Sequence, residues 1–283
     1  MKKNLKRFFL VVAICGGVSL PAVPSAWADI MIMPIRITFS SRDRMQDITV
    51  FNSSTTGSGK YTLSWLNVAQ TETGGYKKLD GPLNPELDPE TAILFSPRRV
   101  TLPPGAKQRV RMSLRRPPDL PDGEYRVHLY LKNSRARSAG AIRGSGPGAV
   151  DMGISMGMNV GLAVPVLIRQ GAYDGTATID TPHFVPGSAD GKRPPMIEFA
   201  INRGGKFSTV GNVTVYWQPA DGGDDILIAR QNAVNIFHEV PRRLMSLPLK
   251  RNYVAGGSVR IVFEGDGPDK GIMFDEKTFP IGG

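Results

Sequence analysis

Three histidines, His128, His183 and His238, offer the most versatile chemistry in this 283-residue sequence. An imidazole can bind a metal or transfer a proton near neutral pH. These three are scattered along the chain without metal-ligand spacing, and no nucleophile elbow or metal motif accompanies them. His128 also alternates with apolar neighbours, as a strand residue does. The sequence therefore predicts a protein that is not an enzyme and that uses no cofactor and no metal.

A glycine-rich run, GSGPG at 144–148, superficially resembles a phosphate-binding loop. Such a loop connects a strand to the N-terminus of a helix, whereas a strand pattern follows here. We interpret the run as part of a long loop rich in Gly, Ala, Ser and Arg between Asn133 and Asp151. Loops of this length without their own secondary structure are usually functional or disordered.

Arg36 is the third candidate and lies in the apolar stretch PIRITF. In a continuous strand Ile35 and Ile37 share one face, which puts Arg36 on the other. A guanidinium keeps its charge and binds a carboxylate with two hydrogen bonds, so an arginine in a cleft is a natural anchor for a chain terminus. The pattern alone leaves open whether Arg36 is such an anchor or a solvated residue on a sheet.

The first 28 residues are typical of a secretory signal peptide. Four basic residues precede an apolar run, and Ala26-Trp27-Ala28 provides a cleavage site after Ala28. Removing this segment lowers the formal charge from +10 to +6, because it holds four basic and no acidic residues. The only cysteine, Cys15, leaves with it, so the exported chain has no disulfide. We expect a soluble periplasmic protein that binds no nucleic acid and does not insert stably into a membrane.

Short alternating or β-branched runs, separated by turn residues, cover the rest of the chain. The first group predicts strands at 30–39, 46–52, 61–69, 92–102, 108–114, 124–133 and 154–168. The second group predicts strands at 175–181, 195–203, 212–219, 225–231, 242–249, 258–265 and 271–279. Seven strands fit one sandwich. The sequence thus predicts an all-β fold of two tandem immunoglobulin-like β-sandwich domains, at 29–171 and 172–283.

The stretch ISMGMNVGLAVPVLIRQG at 154–171 is unusually long for one strand. Every even position from Ile154 to Ile168 is apolar, and the first odd positions are small or polar. Fifteen residues at about 3.3 Å each reach roughly 50 Å, whereas ordinary strands have about five or six residues. The pattern calls for a function beyond the core of one sandwich.

Together these features resemble the periplasmic pilus-assembly chaperones of the chaperone–usher pathway. The resemblance covers essentially the whole mature chain. Its carriers are the signal peptide, the cysteine-free sandwiches, IRITF in the first strand, SPRRVTLPPGAKQRVRM at 96–112, the long strand, and NYVAGGSVRIVF at 252–263. The resemblance implies that the chain lends a strand to fimbrial or pilus subunits, caps them by donor-strand complementation, and delivers them to an outer-membrane usher.

The resemblance also implies roles for particular residues. The donor side chains are expected to be Ile154, Met156, Met158 and Val160, while Leu162 and Val164 return to the chain's own core. Arg36 matches the first of two basic residues that anchor the subunit's C-terminal carboxylate. The second, usually a lysine, falls on Pro165. Glu124 and Arg169 match an interdomain set of structural ion pairs, and its acidic partner in domain two falls on Asn252. The segment at 133–151 is expected to order when a subunit binds.

Two other classes remain open at this point. A two-domain structural pilus subunit or adhesin is expected to carry a donor extension ahead of its first strand. An exported carbohydrate-binding or hydrolytic sandwich needs paired carboxylates or an aromatic platform, whereas Trp65 and Trp217 fit sandwich cores better.

Overall fold

The computed structural model of this chain describes residues 30–133, 137–138, 157–158, 161–250 and 256–281. Within these ranges the chain forms two β-sandwiches in tandem, so the predicted fold class is confirmed. The predicted signal peptide lies outside the described residues. In the part that is described, no helix has the length and apolar character needed to span a membrane.

The first sandwich and its attached hairpins comprise β1 (Ile30–Met33), β2 (Ile37–Phe39), β3 (Met45–Asn52), β4 (Gly59–Leu66), β5 (Val68–Gln70), β6 (Tyr76–Lys78), β7 (Ile93–Ser96), β8 (Arg99–Leu102), β9 (Lys107–Leu114), β10 (Gly123–Asn133), β11 (Arg137–Ser138), β12 (Gly157–Met158) and β13 (Gly161–Gln170). One sheet has the order β1-β3-β9-β7 and the facing sheet β2-β13-β10-β4-β8. A single helical turn, α1 (Pro89–Ala92), precedes β7.

The second sandwich comprises β14 (Thr176–Ile179), β15 (His183–Val185), β16 (Met196–Gly204), β17 (Thr209–Gln218), β18 (Ile226–Ile236), β19 (Arg242–Pro248), β20 (Ser258–Gly265) and β21 (Met273–Pro280). In one sheet β14 and β15 pair with one side of β16 and β19 pairs with the other, and the second sheet has the order β18-β17-β20-β21. A 3-10 turn at Gly267–Asp269 separates β20 from β21.

Alternation of apolar and polar residues explains why these segments form sandwich strands. In β9, Val110, Met112 and Leu114 are buried, while Lys107 and Arg109 are exposed on the opposite face. Each sandwich encloses its own apolar core. Burial of apolar side chains in these two cores stabilises the sandwiches without a disulfide.

The prediction of one strand at 30–39 is wrong. β1 belongs to one sheet and β2 to the other, and a bend at 34–36 connects them. Pro34 lacks the N–H that would continue a ladder. Ile35 is consequently 64% exposed and Ile37 only 2%, so these two residues do not share a face as the sequence suggested. The predicted strand at 92–102 likewise divides into β7 and β8 at Pro97.

Strand β10 is buried on both faces. Tyr125, Val127 and Leu129 face the core of the first sandwich. The intervening residues, Glu124, Arg126 and His128, are also buried, each at most 4% exposed. Glu124 and Arg126 contact residues of the second sandwich, so this polar face lines the cleft between the two domains.

Candidate functional site

The first feature of the site is an open edge on β13. One side of β13 pairs with β10 along its length, from Gly161 opposite Lys132 to Gln170 opposite Gly123. On the other side, β2 pairs only with the residues from Val166 to Ile168. Among the described residues, the N-terminal half of β13, 161–165, therefore has no strand partner on that side.

The side chains along this open half differ from expectation at one position. Val164 is buried, as expected for a residue that returns to the core. Leu162 is 37% exposed, so the expectation that it lies in the chain's own core is wrong. Gly161 and Ala163 are exposed as well. The transition from exposed strand to buried strand thus occurs at Val164.

Pro165, at the position where the resemblance implies a lysine, is buried opposite His128 of β10. It comes one residue before the first residue that pairs with β2. Proline is tolerated in sheets mainly at edge positions, because it has no N–H for the ladder. Its side chain has no group that binds a carboxylate.

Of the four predicted donor residues, one lies within the described residues. Ile154, Met156 and Val160 lie outside the described residues. Met158 belongs to β12, and its backbone pairs with Arg137 of β11 in antiparallel orientation. The assignment of these four side chains as donors stays a prediction.

Arg36 lies in the bend between β1 and β2, at the end of the open edge. Its Nη2 donates a hydrogen bond to Oδ1 of Asn235, a residue of β18 in the second sandwich. Its buried Nε has no hydrogen-bond partner among the described residues. Burial lowers the pKa of Arg36 from its ordinary value, against the opposing charges of Asp266 and Asp269. The guanidinium is thus half-buried and hydrogen-bonded to a neutral amide.

Glu124 of β10 and Arg169 of β13 lie opposite each other on neighbouring strands of the first sandwich and form an ion pair at the cleft. The Arg169 Nε to Glu124 Oε2 distance is 3.0 Å, and Arg169 Nη1 is 2.5 Å from Asp269 Oδ1 of the second sandwich. Asp269 also accepts a hydrogen bond of 3.0 Å from the Val210 backbone N–H. The acidic partner from domain two is therefore Asp269. Asn252, the position expected from the resemblance, lies outside the described residues.

The two carboxylates determine the protonation of this network. Burial lowers the pKa of Arg169, but Asp269 and Glu124 outweigh it and raise the pKa. Burial also raises the pKa of Glu124. The His238 ring, whose Nδ1 is 3.7 Å from Glu124 Oε1, together with Arg169 and a hydrogen bond from Ser208, brings the pKa below its usual value. These shifts favour the charged forms of Arg169 and Glu124. The network joins the first sandwich to the second.

Arg126 forms a second cross-domain pair that the sequence did not indicate. Its side chain is fully buried and donates hydrogen bonds to Glu239 of the second sandwich and to the backbone carbonyl of Val68. Arg126 Nη1 is 2.9 Å from His128 Nδ1. Burial, reinforced by the Arg126 charge, lowers the pKa of His128 to about 3. The alternating polar residues of β10 were the available signal, but such a pattern normally indicates a face toward water.

A cavity of about 630 Å³ on the second sandwich is lined by side chains of types that can act in acid–base or nucleophilic catalysis. His183, Glu198 and Ser246 are among its lining residues. Ser246 Oγ donates a 3.0 Å hydrogen bond to Glu198 Oε1, so the serine is engaged with a carboxylate and is not paired with the histidine. In the described part of the chain, no cluster of His, Cys, Asp and Glu has the arrangement of a metal site.

No protein-family model matches this sequence, and no curated protein matches it. The solved structures to which the chain is similar include a class 5 fimbriae chaperone, a periplasmic chaperone and complexes of chaperones with fimbrial subunits, which agrees with the class that the sequence resembles.

Three examples describe the likeness. A chain of the chaperone–tip adhesin complex of CFA/I fimbriae biogenesis is 16% identical, with 89% of this chain and 98% of that chain covered and a TM-score of 0.39. A chain of the Salmonella enterica SafA pilin–SafB chaperone complex is 14% identical, with coverages of 89% and 96% and a TM-score of 0.42. A chain of the Acinetobacter baumannii CsuC–CsuE chaperone–tip subunit complex is 9% identical, with coverages of 89% and 98% and a TM-score of 0.41.

Proposed function

We propose that this chain is a periplasmic, non-enzymatic chaperone that caps fimbrial subunits by lending them a strand and delivers them to an outer-membrane usher. The observation that carries the proposal is the open edge of β13, which ends beside Arg36. An edge strand with unpaired N–H and C=O groups is a template for pairing with another chain. β-augmentation of this kind takes affinity from main-chain hydrogen bonds and specificity from alternate side chains.

The position of β2 indicates where a client strand would end. β2 runs parallel to β13 and places Ile37 opposite Val166, so Arg36 lies at the level of Pro165. A client strand on the open half of β13 lies in line with β2. If it also runs parallel to β13, its C-terminal end arrives at Arg36.

Charge supports the same direction. A client strand that ends at Arg36 brings a carboxylate to a guanidinium, which is a favourable charge-assisted pair. The opposite direction brings a cationic N-terminus or an interior segment to the same place. The open edge and Arg36 are thus complementary to the C-terminal strand of a client.

Arg36 suits this role better than its neighbours in the cleft. Arg126 and Arg169 are already bound to carboxylates of the second sandwich. Arg36 is hydrogen-bonded to an amide, which leaves its positive charge without a bonded counter-charge among the described residues. Of these three arginines, Arg36 is therefore the one with capacity for a client carboxylate.

The segment ahead of β13 supports the proposal through its sequence. Its donor side chains, Ile154, Met156, Met158 and Val160, alternate with small or polar residues. At about 1.5–3 kcal/mol for each buried side chain, four donors supply about 6–12 kcal/mol before ordering costs. Methionine adapts to irregular grooves, which suits a strand lent to several related subunits.

Substitution of the two methionines tests the donor strand. Met156→Asp combined with Met158→Asp places two carboxylates in the client's apolar groove, so we expect loss of the complex with a co-expressed fimbrial subunit. Met31→Asp with Met45→Asp, at two exposed methionines of β1 and β3, is the control with the same charge change. Co-purification measures capture. Normal capture by the 156/158 variant rejects the donor register, and normal capture by the control shows that added charge alone is tolerated.

A further inference from the structure

Asn235 lies next to Arg36 but belongs to the other domain. It is a half-buried residue near the end of β18. Its Oδ1 accepts the hydrogen bond from Arg36 Nη2. A guanidinium has only donors, so the amide oxygen must face Arg36 and the amide nitrogen must point away from that bond.

The amide nitrogen of Asn235 provides two N–H donors at this place. Among the described residues, Nδ2 makes no hydrogen bond, whereas Oδ1 is used. Arg36 and Asn235 together therefore present donors from both sides of the cleft.

The backbone of Asn235 is fixed by the first sandwich. Gln70 of β5 donates from Nε2 to the Asn235 carbonyl oxygen at 3.1 Å and accepts at Oε1 from the Phe237 backbone N–H at 3.0 Å. This two-way bond holds the end of β18 against domain one. The backbone of Asn235 is thus held in position, and the bond from Arg36 to Oδ1 orients its side-chain amide, so that less freedom is lost when the amide binds a ligand.

We propose that Asn235 supplies the second donor group of the carboxylate anchor, so that the anchor is completed by domain two. The proposal rests on the function proposed above and concerns the same site. One carboxylate oxygen accepts from Arg36 and the other accepts from Asn235 Nδ2. This arrangement gives the anchor a second donor where Pro165 provides none.

The test uses Asn235→Asp and Asn235→Ala in the full chain. Asp keeps the acceptor for Arg36 but removes the two donors and adds a negative charge. Ala removes the donors without adding charge. The probe is a fimbrial subunit from the same genome, with its native C-terminus or extended by three glycines that displace the carboxylate. Competition between wild-type and variant chains for limiting subunit reports relative affinity.

We expect at least a tenfold loss with Asn235→Asp and a loss of about three- to tenfold with Asn235→Ala. The preference for the native over the extended C-terminus should be smaller than in the wild type for Asn235→Ala, where Arg36 still binds the carboxylate, and smallest for Asn235→Asp. Asn232→Asp is the matched control, because Asn232 is an exposed residue of the same strand whose Oδ1 also accepts from an arginine, Arg230. It should bind as the wild type does. The melting temperature of Asn235→Asp should not fall, because the bond from Arg36 becomes an ion pair.

The outcomes separate this inference from the proposed function. If Arg36→Ala keeps the preference for the native C-terminus, the anchor itself is wrong and the function proposal fails with it. If Arg36→Ala abolishes the preference but both Asn235 variants keep the full wild-type preference, only the role of Asn235 is rejected. If Asn235→Asp loses capture while Asn235→Ala binds normally, the loss comes from neutralising Arg36, and the donor role is rejected as well.

Discussion

The buried arginines of the cleft show how single residues divide the work of the site. A buried charge is costly unless it is paired and hydrogen-bonded. Arg126 and Arg169 meet this requirement with Glu239 and with Glu124 and Asp269. Among the described residues Arg36 is hydrogen-bonded only to an amide, as expected of a residue whose proposed counter-charge comes from a client.

His128 gives the cleft a measurable dependence on pH. Its pKa is lowered from 6.5 to about 3, because the ring is buried and its Nδ1 accepts from the Arg126 cation. Between these two pKa values His128 is protonated in the unfolded chain and neutral in the folded chain. The free energy of unfolding therefore falls as pH falls. The contribution of His128 is about 1.4 kcal/mol per pH unit between pH 6 and 4.5.

Replacement by glutamine tests this assignment. His128→Gln keeps an acceptor for Arg126 but cannot titrate, so the slope of unfolding free energy against pH should decrease by about one proton between pH 6 and 4.5. Urea unfolding at several pH values provides the measurement. An unchanged slope in the variant shows that His128 is not the titrating group.

Candidate residues could be selected from the sequence only where the signal is local. Arg36 was selected because a cation interrupts an apolar strand, and its role stays a prediction. Arg126 and Glu239 were missed, because alternating polar residues on a strand normally face water and nothing in the pattern reveals that a second domain covers them. Asp269 was missed for the same reason: its partner depends on how two sandwiches dock, and a turn residue carries no periodic signal.

At the scale of strands, periodicity predicted most elements of both sandwiches. It failed where a strand changes sheet, as at 34–36, because alternation indicates which residues are buried and gives no information on which sheet holds them. The resemblance, for its part, wrongly placed Leu162 in the core. Exposure at that position depends on whether a neighbouring strand covers it, and the pairing of β2 with β13 begins only at Val166.

The segment that connects the sandwiches depends on a close backbone approach at Gly205. This glycine has φ of +80°, and a Cβ there would be 2.2 Å from the backbone oxygen of Asp174, between β13 and β14. Gly222 has nearly the same φ, +79°, with no atom within 4 Å of a Cβ. A comparison of the two glycines therefore distinguishes the cost of steric contact, present only at Gly205, from the cost of left-handed backbone, which both positions share.

Gly205→Ala should therefore destabilise the chain more than Gly222→Ala. Both variants pay for left-handed backbone, and only the first must move the connecting segment, at a further cost of about 1–3 kcal/mol. Urea unfolding of the two variants compares them directly. Equal free energies of unfolding would contradict the steric role of Gly205.

At the scale of the whole molecule, ion pairs join the two sandwiches across their cleft, and in the described part of the chain the N-terminal half of β13 has no strand partner on one side. The edge and the cleft meet at Arg36, which belongs to one domain and hydrogen-bonds the other. The fold class was evident from the sequence. The geometry of this junction was not, because it depends on contacts between residues 199 positions apart.

The central claim is that a client's C-terminal carboxylate is anchored at Arg36 while its last strand pairs with β13. Capture of a co-expressed fimbrial subunit by Arg36→Ala, compared with Arg99→Ala on an exposed strand position, tests it most directly. We expect capture to be lost with Arg36→Ala and retained with Arg99→Ala, while the thermal unfolding transition of both stays close to that of the wild type. Full capture by a folded Arg36→Ala chain would contradict the account.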